Sequence, residues 1–327
     1  MHFPRWNLLL PLLLAGGVLA CAPPARAQDY PSRPIHVVVP IPPGGALDTT
    51  ARIVTPRLSE ALGQPVVIEN RVAAGGVMGT NQVAHTTPDG YTLLMIFDSF
   101  ATNPSLYKAA QYDPVKDFAP IMLISRSPQV LLLHPDVPAR TMKEFLALAK
   151  SANNGAGFNF ATAGPGTSSR FSLELFKQVA QLDITAVHYK GGNPAMNDLL
   201  GGQVKGMIVQ ISLAIQHVKR GRLIALAVSS AKSTPMLPDV PPISETFPGF
   251  EAQGWTGLLA PAATPRAIVN RLNAALKTAL AQADVRERLE SQGSEVVGST
   301  PEAFGAWIQN ESDKWSRVIR ELKLTLD

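Results

Sequence analysis

Four stretches of this chain place small residues with accessible backbone amides where an apolar run gives way to a helical pattern. The first is Val37-Val38-Val39-Pro40-Ile41-Pro42-Pro43-Gly44-Gly45-Ala46-Leu47-Asp48. Pro42 and Pro43 lack an N–H, but Gly44, Gly45 and Ala46 have one. Amides at a helix start face outward with the positive end of the helix dipole behind them. The chemistry available to such a turn is to hold an anion, because glycine lets the backbone turn sharply and lets a ligand come close. One glycine pair alone reads as an ordinary strand-to-helix turn; it is the repetition that favours an anion cradle. The second stretch is Ala74-Gly75-Gly76-Val77-Met78-Gly79, the third Thr162-Ala163-Gly164-Pro165-Gly166-Thr167-Ser168-Ser169-Arg170, and the fourth Lys190-Gly191-Gly192-Asn193. A further polar, turn-rich stretch, Asp98-Ser99-Phe100-Ala101-Thr102-Asn103-Pro104, stands at a strand end where a ligand has room to sit.

Catalytic alternatives find little support. There is no G-x-S-x-G, no phosphate loop ending in Gly-Lys-Ser/Thr and no H-E-x-x-H, and the histidines at 2, 36, 85, 134, 188 and 217 show no ligand spacing. No metal and no cofactor is expected. Ser168 and Ser169 precede a helix without an adjacent base, so capping or ligand hydrogen bonding is the better reading than nucleophilic attack. Asp48 is awkward beside an anion site: a role in capping its helix outweighs ligand contact, in which it would receive an ammonium or hydroxyl. Arg170 and Lys190 add positive charge if they face the site and are otherwise solvated. Trp255 is balanced between walling a cleft and filling a core.

The elements that must position these turns alternate strand and helix. Pro34 to Pro40 reads as a strand and Asp48 to Leu62 as a helix stopped by Gly63, with Pro56 expected to kink or divide it. Further strands are expected at Pro65 to Asn70, Tyr91 to Phe97, Phe158 to Ala161, Ile184 to Tyr189, Gln203 to Ile211, Leu223 to Ser229 and Gly254 to Leu259. Apolar runs at Pro120 to Ile124 and Gln129 to His134 flank Ser125 to Pro128, where the chain is expected to cross between domains. Thr141 with Glu144 has capping-box spacing, and Thr264-Pro265 and Thr300-Pro301 each read as a hydroxyl cap before a proline at the first helical position. The pattern implies an α/β fold with largely parallel sheets that bind ligands beyond the carboxyl ends of their strands, where all four glycine turns lie. A chain that leaves one lobe and later returns gives two lobes around a cleft, divided as 28–126 plus 252–327 and 127–251.

The 327 residues, 46% hydrophobic and 17% charged, suffice for two cores. Arg5, the apolar run Leu8 to Ala20 and Ala25-Arg26-Ala27 read as a secretory signal peptide over 1–27, cut after Ala27. The single cysteine, Cys21, lies in Val18-Leu19-Ala20-Cys21, which also resembles a lipoprotein cleavage box; the match at Ala25 and Ala27 is the better one. Loss of Arg5 and Arg26 with the leader leaves 27 basic against 25 acidic residues, a net charge of +2. With no dense basic run interleaved with aromatics, nucleic acid is not an expected partner.

Several segments carry a resemblance to a known family. They include Val38 to Asp48, Val67-Ile68-Glu69-Asn70-Arg71, Pro88-Asp89-Gly90-Tyr91-Thr92-Leu93-Leu94, Asn103-Pro104-Ser105-Leu106-Tyr107, Tyr112-Asp113-Pro114-Val115-Lys116-Asp117-Phe118, Leu237-Pro238-Asp239-Val240-Pro241 and Gly257-Leu258-Leu259-Ala260-Pro261. Together they resemble the Bug family, the extracytoplasmic solute receptors of tripartite tricarboxylate transporters. The resemblance implies a two-lobed, periplasmic-binding-protein-like fold whose interlobe cleft holds a small carboxylate through backbone amides, hydroxyls and ordered water. It also implies a surface presented to membrane permease subunits. By position the contacts would come from Pro42 to Asp48, including Pro43, Gly44, Gly45 and Ala46, and from Gly75 to Gly79, including Gly76 and Met78. Others would come from Ser99 to Thr102, including Phe100 and Ala101, from Thr162 to Ser169, including Gly164, Gly166 and Thr167, and from Lys190 to Asn193.

One departure matters: where family members commonly read like Gln-Val-Asp-Leu-Met-Phe-Asp-Asn, this chain has Gln203-Val204-Lys205-Gly206-Met207-Ile208-Val209-Gln210. An acidic position that would face the cleft has become Val209, which argues against a ligand ammonium paired there and permits a plain dicarboxylate or an aromatic carboxylate, with Gln210 and Ser212 as candidate contacts. The reading is therefore a monomeric periplasmic binder of a carboxylate, not an enzyme. A ligand-sensing receptor that signals to a membrane sensor and a secreted hydrolase using Ser168 or Ser169 are the alternatives.

Overall fold

The computed structural model describes residue 2 and residues 30–72, 76–164 and 166–326. The expected leader with Cys21, and the candidate Gly75, lie outside the described residues. Strand β1 (Ile35–Val39) buries Ile35, Val37, Val38 and Val39, so both of its faces are largely covered, with only His36 part-exposed. It feeds α1 (Ala46–Leu62), which ends where Gly63 adopts a left-handed φ of 71° and donates its N–H to the Ser59 carbonyl. Pro56 does not divide this helix, which runs unbroken for 17 residues. Pro56 lies on the exposed side, and the burial of Ile53, Val54, Leu58 and Leu62 outweighs the one missing backbone bond.

The chain continues through β2 (Val66–Asn70), α2 (Val77–Ala84), β3 (Thr92–Phe97), α3 (Ser99–Leu106) and β4 (Phe118–Ser127). It then enters a second set: β5 (Gln129–Leu133), α4 (Met142–Ser151), β6 (Asn159–Thr162), α5 (Ser168–Ala180), β7 (Thr185–His188), α6 (Gly192–Leu200), β8 (Gly206–Gln210), α7 (Ile211–Lys219) and β9 (Ile224–Val228). β10 (Gly254–Pro261) returns to the first set, followed by α8 (Arg266–Leu280), α9 (Ala283–Ser291), β11 (Glu295–Val296) and α10 (Pro301–Glu321). Thr300 caps α10 by accepting the Ala303 N–H, whereas at α8 Pro265 itself takes the cap position and Thr264 makes no capping bond.

Two sheets result, ordered β11-β4-β10-β3-β1-β2 and β7-β6-β8-β5-β9. They are mixed rather than largely parallel. β1 runs parallel to β2 and β3, but β10 opposes both β3 and β4; β6 runs parallel to β7 and β8, but β5 opposes β8 and β9. β5 and β10 each arrive directly from the other sheet and so enter from the opposite end, which reverses their sense. At the crossing the Gln129 N–H donates to Ser229 Oγ and the Ser229 N–H to the Gln129 carbonyl, both at 2.8 Å. Gly254 pairs with Ser127 beside them.

A further tie comes from α10. Its first half packs Phe304 and Ile308 with Trp255 and Leu259 of the first sheet, and its second half carries Trp315, Val318 and Ile319 into the core of the second. Trp315 lies 5.8 Å from Phe171, ring centre to ring centre. In the first core, a Cβ added at Gly257 would lie 2.1 Å from Cζ of the fully buried ring of Phe304. Gly257→Ala is therefore expected to cost about 1 to 3 kcal/mol through overpacking. It should lower the urea midpoint with an unchanged slope, read by circular dichroism.

Candidate functional site

A cavity of about 600 Å³ opens between the two sheets. The carboxyl ends of several strands face it, so the residues that begin the following helices form its walls. Ala46 and Leu47 come from the start of α1, Ser99 from α3, Ser168 and Ser169 from α5, Gly192 from α6, and Ser212 and Leu213 from α7. Five helix N-termini, from both sheets, thus line one space. Each turns the positive end of its dipole toward the space, although at α3 and α7 the first amide is already donated, Ser99 to Asp98 and Ile211 to the Pro128 carbonyl. Hydroxyls of Thr50, Thr102, Ser127, Thr167, Thr256 and Ser294, the amides of Gln210, Gln253 and Gln292, and the faces of Phe97, Trp255 and Trp315 complete much of the wall.

The candidates divide according to what their local geometry already uses. At the first turn, Gly44 donates its N–H to Asp48 Oδ2 at 2.8 Å and Gly45 donates to the Pro42 carbonyl, so both amides serve the turn. Neither Pro43, Gly44, Gly45 nor Asp48 lines the cavity; Ala46 does. Asp48 is 1% exposed and also accepts from Arg52 and Asn70. Burial pushes its carboxyl up, but the bonds from Arg52, the Gly44 N–H and Asn70 outweigh it and hold the group at about 2. Gly76 and Gly79 pack against Pro40, the second with Arg71 as well, and Met78 is 60% exposed. None of these three lines the cavity.

The stretch after β3 is a helix rather than a turn, and the helical period sorts its residues. Ser99 and Thr102, three apart, face the cavity, while Phe100 and Ala101 are buried in the first core, where Phe100 stacks on Tyr112 at 5.3 Å. Thr162 is likewise buried, its hydroxyl 2.8 Å from His188 Nδ1. Gly164, at φ 138°, accepts the Thr167 amide and hydroxyl, leaving Gly166, Thr167 and Ser168 on the wall. Ser169 reaches the cavity too, but its hydroxyl donates to the Ile208 carbonyl at 2.6 Å. Arg170, Lys190, Gly191 and Asn193 are off the wall; the Gly191 N–H donates to the Ala163 carbonyl and ties the third turn to the fourth. Gln210 is on it.

Trp255 proves to be both wall and core, lining the cavity while packing edge-on against Phe304. Gln253, Gln292 and Ser294 were not singled out by sequence, since they reach the site from the returning strand and from the segment after α9. Among the described residues of the wall, three buried polar atoms have no protein partner: Ser172 Oγ, Gln253 Oε1 and Trp255 Nε1.

Asp98 is the only ionisable side chain among the described residues lining the cavity. It accepts the Ser99 N–H at 2.9 Å and is hydrogen-bonded to Ser168, which begins a helix of the other sheet. Burial raises its carboxyl to about 6; the Ser168 and Ser99 bonds pull it down, and the nearby Glu311 pushes it up. Glu311 is held by Lys314 and by Trp315 Nε1. Among the described residues no lysine, arginine or histidine lines the space.

Comparison with known proteins agrees with this architecture. Residues 50–324 match the family model described as tripartite tricarboxylate transporter family receptor. The chain is similar to the solved periplasmic binding protein BugD, at 36% identity and TM-score 0.71, covering 91% of this chain and 100% of that one. It is also similar to MatC from Rhodopseudomonas palustris with bound malate, at 37% identity and TM-score 0.70, covering 89% of this chain and 100% of that one. A third similar structure is Rpa4515 of R. palustris with adipate, at 32% identity and TM-score 0.74, with coverage of 91% and 100%.

The raised carboxyl of Asp98 has a consequence for stability. Between its folded value of about 6 and the ordinary carboxylate range near 4, the folded chain holds a proton that the unfolded chain has released. Its contribution therefore opposes folding at neutral pH, and the opposition fades as pH falls through that window. Asp98→Asn keeps a capping side chain and abolishes the titration. Relative to the wild type, the variant is expected to lose on the order of 2 kcal/mol of stability between about pH 7.5 and about pH 4.5, checked by urea unfolding at both.

Proposed function

Because the chain belongs to the tripartite tricarboxylate transporter family of receptors, we propose that it is a periplasmic solute-binding protein. It captures a small carboxylate in the cavity between its lobes and delivers it to the permease subunits of a transporter of that class. The observation that carries this reading is the convergence of five helix N-termini on a space with no lysine, arginine or histidine among its described lining residues. Such a site stabilises a carboxylate by oriented amides and hydroxyls. The similarity to MatC with malate and to Rpa4515 with adipate supports a ligand of that chemistry, and the cavity of about 600 Å³ has room for one.

In this reading Ala46, Ser99, Gly166, Thr167, Ser168, Gly192 and Gln210 touch the ligand, joined by Thr50, Ser172, Gln253 and Trp255. The lobes, 28–126 with 252–327 and 127–251, close on it about the Gln129–Ser229 crossing, and the protein works as a monomer. Export follows from the leader cut after Ala27. The ligand leaves as it came: Ser169 spends its hydroxyl on a backbone carbonyl, and Ser168 faces a carboxyl with no histidine among the described residues of the wall.

Trp255 and Trp315 line the cavity, so their fluorescence reports occupancy. Titration of the purified chain with malate, adipate and other small acids, each against its diamide, is expected to give saturable binding for acids alone. The bound acid should be recovered unchanged by mass spectrometry. Absence of binding across the acids, equal binding of the amides, or a chemically altered product would overturn the reading.

A further inference from the structure

The cavity has a second chemical character at one end. Asp98 projects there from the start of α3, with Glu311 behind it and no cationic side chain among the described lining residues to answer its charge. Lys314, three residues after Glu311 on α10, is already bound to Glu311 and to the Glu251 carbonyl. Asp98 and Gln210 both approach the backbone of Gly254 closely: a Cβ there would lie 3.7 Å from Asp98 Oδ2 and 2.9 Å from Gln210 Nε2. The preceding residue, Gln253, is 4% exposed and lines the cavity. Its amide orientation is fixed, because Nε2 donates to Glu251 Oε1 at 2.6 Å, which leaves Oε1 as a buried acceptor without a protein partner. This end of the site therefore offers two acceptors, a carboxylate and an amide oxygen, beside the N–H groups of Gln210 and Trp255 and the aromatic faces of Trp255 and Trp315. A group that satisfies two acceptors, answers a buried negative charge and tolerates aromatic faces is a protonated amine.

Resting on the carboxylate reading above, we propose that Asp98 and Gln253 seat an ammonium group, so that the ligand is a carboxylate that also carries an amine rather than a plain dicarboxylate. The helix N-termini hold its carboxylate and Asp98 faces its cation. Val209 removes an acid from the β8 wall, where an ammonium has no partner; Asp98 supplies one from the opposite lobe, so the preference read from position 209 alone is reversed. A second carboxylate placed at this end would instead meet Asp98 with like charge in a partly desolvated space.

The test uses matched probes and the full chain, with calorimetry as the readout. The pairs are glutamate with glutarate and 6-aminohexanoate with adipate, measured on the wild type and on Asp98→Asn. The asparagine keeps the capping geometry, and a thermal melt confirms that the variant is folded. In at least one pair the amino member is expected to bind the wild type at least tenfold more tightly than the plain diacid. Asp98→Asn is expected to weaken that ligand at least tenfold while leaving the plain diacid unchanged or tighter. The proposal is overturned if the plain diacids match or exceed both amino partners, or if Asp98→Asn weakens both members of a pair alike; in either case the carboxylate reading stands. If no acid binds the wild type, the carboxylate reading fails and this inference falls with it.

Discussion

Gln129 and Ser229 are joined by two hydrogen bonds, one from the Ser229 N–H to the Gln129 carbonyl and one from the Gln129 N–H to the Ser229 hydroxyl, at the place where the chain passes between its two sheets. Everything on either side takes its direction from that pairing. Because β5 and β10 both enter from the crossing, the carboxyl ends of the remaining central strands in each sheet face the same gap. The helices that follow those strands begin at the gap, and only there do their unpaired amide hydrogens lie. Had either entering strand run the other way, the helix C-termini would line the space, and its potential would be of the opposite sign.

The sequence made the ordinary parts of this arrangement readable and hid those that depend on distant partners. Val37-Val38-Val39 and Leu131-Leu132-Leu133 are runs that only a buried strand accommodates, and the crossing between 125 and 128 lay in the break between two such runs. The stretch from Ser99 to Leu106 was harder, since serine, threonine, asparagine and an interior proline are all typical of turns. Its helix is stabilised by Phe100 and Ala101 in a core that local pattern does not reveal. Glycine-rich stretches do precede the starts of α1, α2, α5 and α6, yet glycine content was silent on where each amide is spent. Gly44 gives its N–H to Asp48, and Gly191 gives its own to Ala163. Gln253, Gln292 and Ser294 reach the wall from parts of the chain far from any of the turns, and nothing in their own surroundings marks them.

Charge is distributed unusually for a space that faces so many positive dipole ends. The arginine nearest the first turn, Arg52, is engaged by Asp48, and Lys314 is engaged by Glu311. Among the described residues, the field within the cavity is therefore made almost wholly by peptide groups and by one acid. Peptide dipoles are fixed in orientation and need no reorganisation when an anion arrives, whereas a lysine would lose hydration and rotamer freedom on doing the same work. The partly desolvated Asp98 marks one end of this field as different from the rest.

The helix starts also bear on how such a protein changes over generations. An amide hydrogen belongs to the main chain, so any substitution other than proline at Ala46, Ser168, Gly192 or Ser212 leaves the donor in place. Side chains on the same wall have no such protection: a single codon change can remove the hydroxyl of Thr167 or the indole of Trp255. The scaffold thus separates an inheritance that mutation barely reaches from a lining that it rewrites freely. A lineage built on it can trade one solute for another without first losing its hold on the charged group they share.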